Sequence, residues 1–248
     1  MNLENKKIAI TGGARGLGFA MAQALESKGA TPVIIDLDQE QIDNALSQLT
    51  NAVGYCANIC DEDQVVSIFN DISAELGSLH GIINNAGITK DGLMLKEKDG
   101  TIQKMPLSAF KAVIDVNQVG TFLCAREAAA IMMKNRFNGV IINISSISRT
   151  GNFGQSNYSA SKAAVVAMTT TWCKELANVG IRAAAIAPGF VATEMTKKVP
   201  ETVLTNITKG IPVGRLGTPE EIAHGAIFIL ENEYFNGRVL EIDGGLRL

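Results

Sequence analysis

In the run Gly154-Gln155-Ser156-Asn157-Tyr158-Ser159-Ala160-Ser161-Lys162-Ala163-Ala164, a phenol and an ammonium stand four residues apart. The small residues, with Val165-Val166-Ala167-Met168 after them, predict the opening of a buried helix. Residues four apart on a helix share a face, so both polar tips would meet at one spot. A free phenol titrates near pH 10, too high for a base at neutral pH. An ammonium a few ångströms away favours the phenolate and lowers that value by about 1–3 units where water is partly excluded. Such a tyrosine could exchange a proton with an alcohol or carbonyl oxygen. An amphipathic helix with a snorkelling lysine carries the same pair without chemistry. The surrounding elements must decide.

The first of them is a strand, Lys7-Ile8-Ala9-Ile10-Thr11, running into Gly12-Gly13-Ala14-Arg15-Gly16-Leu17-Gly18 and a helical pattern from Phe19 to Lys28. Strand, glycine turn and helix set backbone N–H groups and a helix N-terminus against a pyrophosphate. Gly12, Gly16 and Gly18 follow a G-x-x-x-G-x-G spacing. A second strand, Pro32 to Ile35, ends in Asp36, where a dinucleotide fold bonds the adenosine ribose hydroxyls.

The rest alternates in the same way. Helices are expected over Gln39–Leu49, Gln64–Leu76, Ser108–Lys134, Tyr158–Val179 and from Thr218 to Glu231, and strands near Val53–Asn58, Gly81–Ile83, Gly139–Ile144, Ile181–Ile186 and Arg238–Ile242. Residues Ile88 to Pro106 read as loop, with Lys96-Glu97-Lys98-Asp99-Gly100 as a solvated hairpin tip. Asn117, a poor helix-interior residue, marks a kink. Glu194 to Gly217 reads as a mobile segment with a short helical piece near Glu201–Thr208. Short apolar strands alternating with helices predict a parallel sheet covered on both faces. The expected fold is α/β, a single doubly wound Rossmann-type domain over residues 1–248.

Composition narrows the function. Net charge is −3, which argues against a nucleic-acid partner. No apolar run is long enough to span a bilayer, and the N-terminus reads as lacking a signal peptide. The four cysteines pair with no histidine in a ligand spacing, so they read as thiols in a reducing cytoplasm and no metal is expected.

Taken together, Thr11-Gly12-x-x-x-Gly16-x-Gly18, Asn85-Ala86-Gly87, Asn117, the pair Ser145-Ser146, Tyr158-x-x-x-Lys162 and Pro188-Gly189 resemble the short-chain dehydrogenase/reductase family over essentially the whole chain. Gly87-Ile88-Thr89-Lys90-Asp91 and Pro188-Gly189-Phe190-Val191-Ala192-Thr193-Glu194-Met195 are similar to the 3-oxoacyl-[acyl-carrier-protein] reductases of fatty acid biosynthesis. The resemblance implies an NAD(P)-dependent oxidoreductase, a homotetramer, in which Tyr158 passes the proton. Lys162 would lower the tyrosine pKa and hold the nicotinamide ribose, a serine would bond the substrate oxygen, and Asn117 would hold a relay water. It implies a cofactor site of Gly12, Arg15, Gly16, Leu17, Gly18, Asp36, Asn58, Ile59, Asn85, Ala86, Gly87, Tyr158, Lys162, Pro188, Gly189, Val191 and Thr193.

The family's usual spacing to the tyrosine selects Ser145, whereas alignment by the strand end selects Ser146. We take Ser146, because a strand end is better fixed than a loop. Asp36 and Asp38 favour NAD(H), and Arg15 keeps NADP(H) as the alternative. The loop from Leu95 to Pro106 is longer than in the typical carrier-protein reductase, and Val179 stands where those enzymes carry a second arginine. The carrier therefore stays open between acyl carrier protein and coenzyme A. A sugar or steroid substrate, or a non-catalytic dinucleotide-binding protein, are the alternatives.

Overall fold

A computed structural model describes residues 1–193, 196 and 201–248. Seven parallel strands form one sheet in the order β3-β2-β1-β4-β7-β8-β9. These are β1 (Lys7–Thr11), β2 (Thr31–Asp36), β3 (Val53–Cys56), β4 (Gly81–Asn84), β7 (Gly139–Ile144), β8 (Ile181–Pro188) and β9 (Val239–Ile242). The central strands are buried on both faces, which is why they read as unbroken apolar runs. One layer of helices comprises α1 (Gly16–Ser27), α2 (Gln39–Leu46) and α8 (Pro219–Glu231), and its core includes Met21, Leu25, Ile34 and Ile229. The other holds α3 (Glu62–Leu76), α5 (Thr121–Lys134) and α6 (Ser156–Glu175), with Val65, Phe69, Leu123 and Met132 packed beneath. The doubly wound α/β architecture expected from the alternation is what forms. No described helix is long and apolar enough to cross a membrane.

Strand order reverses between β1 and β4. Ile10 lies beside Ile34 on one side and Ile83 on the other. A crevice opens where chains leave such neighbours in opposite directions, outside the carboxyl ends of the strands. Every motif singled out above except Asn117, which lies within a helix, ends a strand or begins a helix along that edge.

Several boundaries differ from the sequence reading, and four of the differences bear on the site. Helix α1 starts at Gly16, because the left-handed backbone at Gly16 (φ 56°) closes the turn directly onto the helix. The long helix expected over Ser108–Lys134 is divided into α4 (Leu107–Ile114), a π-helical turn (Asp115–Gly120) and α5. The expected kink at Asn117 is this π turn. Helix α6 stops at Glu175, with a separate 3₁₀ turn at Ala177–Val179 and a left-handed cap at Gly180. Lastly, the hairpin tip expected at Lys96–Gly100 is present, but the flanking residues read as loop form strands, β5 (Leu95–Lys98) paired antiparallel with β6 (Thr101–Lys104). Its turn residues Asp99 and Gly100 both have positive φ, the twist that two-residue hairpins favour. The short piece near Glu201–Thr208 is α7 (Glu201–Gly210), whereas Glu194 and Met195 lie outside the described residues.

Candidate active site

The glycine turn after β1 is shaped by what comes close to it. Gly12 has φ 61°, and a side chain there would meet the Ala86 backbone at 3.0 Å. At Gly18 a side chain would collide with the Gly12 carbonyl. Thr11 Oγ1 accepts from the N–H groups of Asn85 and Ala86, both at 3.1 Å, and Asn85 Nδ2 donates to the Gly12 carbonyl at 2.9 Å. The turn is thus bound to the end of β4, leaving its helix-side N–H groups toward the crevice. Thr11 is a positioning residue that the motif contained without a stated role.

Asp36 closes the far side. One oxygen accepts from Ala14 N–H at 3.2 Å and the other from Leu37 N–H at 2.8 Å. Each oxygen retains lone pairs, so the carboxylate is fixed in place and still able to accept from a hydroxyl. Arg15 is exposed at the N-cap of α1. Asn58 is tied through its own N–H to Gln64 and through Oδ1 to Cys60 N–H, and buried Ile59 fills the space left by Gly120. Leu17, half-buried, borders the turn. At the other end Pro188 closes β8, Gly189 N–H donates to Ile242 O at 2.9 Å, and Val191 is buried. Thr193 N–H donates to Thr196 Oγ1 at 2.8 Å. These groups fit an extended dinucleotide laid across β2, β1, β4 and β8, with backbone donors at its centre.

The polar centre sits on α6. Ser161 Oγ donates to Tyr158 O at 2.7 Å and accepts from Asn117 Nδ2 at 3.1 Å. Asn117 also brackets Ile88, accepting from its N–H at 2.8 Å and donating to its carbonyl at 3.1 Å. Both amide protons are therefore used, and one lone pair of Oδ1 remains. Gly87 lies against this pair: a side chain there would stand 3.2 Å from Asn117 Oδ1 and 3.4 Å from Lys162 Nζ. Asn157, fully buried, donates to the carbonyls of Lys90 and Ala109 at 2.9 and 3.3 Å. Ser161 and Asn157 were not among the residues expected, although both lie within one helical turn of Tyr158.

The two serines part at the end of β7. Ser145 Oγ is spent on the Lys162 carbonyl at 2.8 Å. Ser146 Oγ accepts from Ser148 N–H at 3.1 Å, and it is this hydroxyl, not that of Ser145, that acts on the phenol, pulling its pKa down. Alternation along the strand separates them.

Electrostatics here depart from the simplest expectation. Lys162 Nζ lies 5.7 Å from the Tyr158 ring centre and donates to the Ile144 carbonyl at 2.7 Å. It does not lower the phenol. Burial raises Tyr158 above its ordinary value, the Ser146 bond pulls it back and the Asp91 carboxylate raises it further. Burial also lowers Lys162 from 10.5 to about 8. Desolvation outweighs a charge that is aimed at a carbonyl.

A Rossmann-type sheet with a glycine turn, an acid after β2 and a buried Tyr/Lys/Ser/Asn centre defines a dinucleotide-dependent oxidoreductase. A family model described as enoyl-(acyl carrier protein) reductase matches residues 12–247. A 3-oxoacyl-[acyl-carrier-protein] reductase FabG of Thermotoga maritima is 40% identical, covering 99% of this chain and 99% of its own. An acetoacetyl-CoA reductase of Synechocystis is 38% identical (98% and 97%), and a carbonyl reductase family member 4 of Xenopus laevis is 34% identical (98% and 99%). The chain belongs to the short-chain dehydrogenase/reductase family, closest in kind to the 3-oxoacyl-[acyl-carrier-protein] reductases.

Proposed function

We propose that this chain, acting over residues 1–248 as one domain, interconverts a 3-oxoacyl thioester and its 3-hydroxyacyl product, with NAD(H) as the cofactor. The observation that carries this is the meeting of Tyr158, Lys162, Ser146 and Asn117 beside a glycine turn built for a pyrophosphate. The bound nicotinamide supplies or accepts the hydride. Tyr158 gives its proton to the carbonyl oxygen in reduction and takes it back in oxidation. A phenol kept protonated by burial suits the donating role. Ser146 turns its hydroxyl to the same oxygen, and its N–H bond from Ser148 fixes the direction. Lys162 is mostly an ammonium at neutral pH and has donors left for a ribose hydroxyl. Asn117 holds a relay water with the free side of Oδ1.

Cofactor choice rests on Asp36. A 2′-phosphate about 4 Å away would be repelled by roughly 4 kcal/mol at an effective dielectric near 20. That exceeds what a hundredfold preference requires. The names of the relatives point to thioesters on acyl carrier protein or on coenzyme A, and no exposed arginine pair at the mouth was expected to choose the former. The exposed residues Ala160, Ala163 and Ala167 along α6 suit close packing between subunits of a homotetramer in the cytoplasm. A light-scattering mass of one 26.3 kDa chain would refute that assembly.

Initial rates on acetoacetyl thioesters with each cofactor test the function. Turnover with NADH above NADPH is expected, and Asp36→Ala should relax the preference mainly by improving use of NADP(H). No turnover of any 3-oxoacyl thioester would overturn the substrate. A clear preference for NADPH would mean that Arg15 prevails over Asp36.

A further inference from the structure

We propose that Arg149 is a positioning residue of this site: its guanidinium clamps the main-chain carbonyl of Ser146 and is itself held by Glu241 on the last strand, which keeps the Ser146 hydroxyl aimed at Tyr158. The inference rests on the reading of Ser146 given above.

Ser146 has extended backbone (φ −165°, ψ 158°) and leads into a short 3₁₀ turn, Ile147–Thr150. A turn of four residues has little rigidity of its own. Two bonds from Arg149 fall on the Ser146 carbonyl, its backbone N–H at 3.2 Å and Nη1 at 3.1 Å. Nη2 of the same guanidinium is paired with Glu241 Oε1. The Arg149 side chain is 16% exposed, and Glu241 is 37% exposed. A fork partly shielded from water, with one prong on a carbonyl and one on a carboxylate, sets direction as well as distance.

Glu241 is anchored in turn. Its other oxygen lies 3.3 Å from Arg247 Nη2, and Arg247 also pairs with Asp243. Asp243 abuts Gly189: a side chain on that glycine would stand 2.7 Å from the Asp243 Cα. One chain of charges therefore joins the serine turn on the substrate side to the Pro188–Gly189 segment on the cofactor side. No other bond among the described residues ties the Ile147–Thr150 turn to β9. The charged groups facing Tyr158 itself are Lys162 on α6 and Asp91 from the loop before the hairpin, and substitutions at 149 leave both in place.

The test compares Arg149→Met, Arg149→Lys, Glu241→Gln and Arg247→Ala with Ser146→Ala, measuring acetoacetyl-CoA reduction against pH, cofactor affinity and thermal midpoint. Arg149→Met is expected to lower kcat roughly tenfold, the scale of a small misplacement of a reacting group. It should also move the alkaline limb of the rate profile upward, because the phenol loses the bond that holds its pKa down. Cofactor affinity should stay within about twofold. Arg149→Lys can hold only one partner at a time and should recover part of the rate. Glu241→Gln should fall between Arg149→Lys and wild type, and Arg247→Ala, one link further from Ser146, should lie between Glu241→Gln and wild type. If Arg149→Met keeps the wild-type rate and profile while Ser146→Ala is disabled, the proposal is wrong and the catalytic reading stands. If Ser146→Ala is itself fully active, that reading fails first. Should Arg149→Met not fold, Arg149→Lys and Glu241→Gln decide: unchanged profiles in both, or rate losses matched by equal losses of stability and cofactor affinity, overturn it.

Discussion

Two regions flank the mouth of the site, and they are built on opposite terms. Along α6 runs a buried polar seam. Asn84 donates to Asn143 at 2.8 Å, Asn143 to Thr169 at 2.9 Å, Ser145 to the Lys162 carbonyl, Lys162 to Ile144 O, and Asn117 to Ser161. All of these side chains are buried. The hairpin β5–β6 is the reverse. All eight of its strand residues are exposed, and among the described residues it is tied to the site only at its root, by Gly92 N–H to Gly154 O at 2.8 Å, Gln155 to Asp91 at 3.0 Å and Asn157 to Lys90 O at 2.9 Å. Proton transfer needs atoms held within fractions of an ångström, so its residues sit in a network where, among the described residues, only Asn84 Oδ1 and Ser159 Oγ are buried without a partner. Accommodating a substrate tail needs no such fixity. Changes in the seam should therefore alter rate and stability, and changes in the hairpin should alter neither.

The largest effect belongs to the phenol. Tyr158→Phe keeps the packed ring and removes the hydroxyl, so turnover should fall by about 10²–10⁴ while cofactor affinity holds. Retention of more than about a tenth of the wild-type rate would show that another group moves the proton. Next come the serines, which separate the two functions of the seam. Ser146→Ala should lower kcat with little change in stability. Ser145→Ala leaves the buried Lys162 carbonyl without that donor and should cost about 1–3 kcal/mol of stability with a smaller loss of rate. The reverse order would mean that Ser145 faces the substrate.

Lys162 shows what the seam costs. Its pKa falls from 10.5 to about 8 on folding, so the unfolded chain binds more protons between those values. Stability from this group is therefore present above 10.5 and lost as pH falls through 8. Below pH 8 the buried ammonium carries its full penalty, on the order of 3 kcal/mol, partly offset by its bond to Ile144. Lys162→Met should therefore be inactive yet more stable at pH 7, by roughly 2–6 °C in midpoint. That gain should shrink as pH approaches 10. A less stable variant at pH 7 would show that the lysine braces α6 more than its burial strains it.

How far this was legible in the sequence follows the same division. Strands and helices were readable from apolar runs and turn residues, because the sheet is buried on both faces. Asn117 was readable as an anomaly in a helix, and it became a π turn. The direction of Lys162 was not, since four-residue spacing brings Tyr158 and Lys162 to one face but cannot say that the ammonium bonds Ile144. Nor was Arg149, whose partner Glu241 lies in the last strand and is brought close only by the order of the sheet. The strands β5 and β6 were hidden because alternation needs one buried face, and LKEK and TIQK have none.

The smallest effect should come from that hairpin. Two strands of four residues without a buried face are marginal alone, and this pair rests on its own cross-strand bonds and a positive-φ turn. Replacing Leu95–Lys104 by a short glycine turn should thus change global stability by no more than about 0.5 kcal/mol, as for other surface changes. The rate on acetoacetyl-CoA should likewise stay near wild type, because no hairpin residue enters the hydrogen bonds around Tyr158. What should change is discrimination by tail length. Leu95 (52% exposed) and Ile102 (57%) share one face of the hairpin and offer apolar surface that a long acyl chain would reach and the terminal methyl of an acetoacetyl group would not. Each methylene shielded there is worth at most about 0.8 kcal/mol. The deletion should raise KM for long-chain thioesters several-fold and leave the short one unaffected. Equal effects on both, or a loss of stability like that of Ser145→Ala, would show that the hairpin supports the seam and that the two regions are not independent.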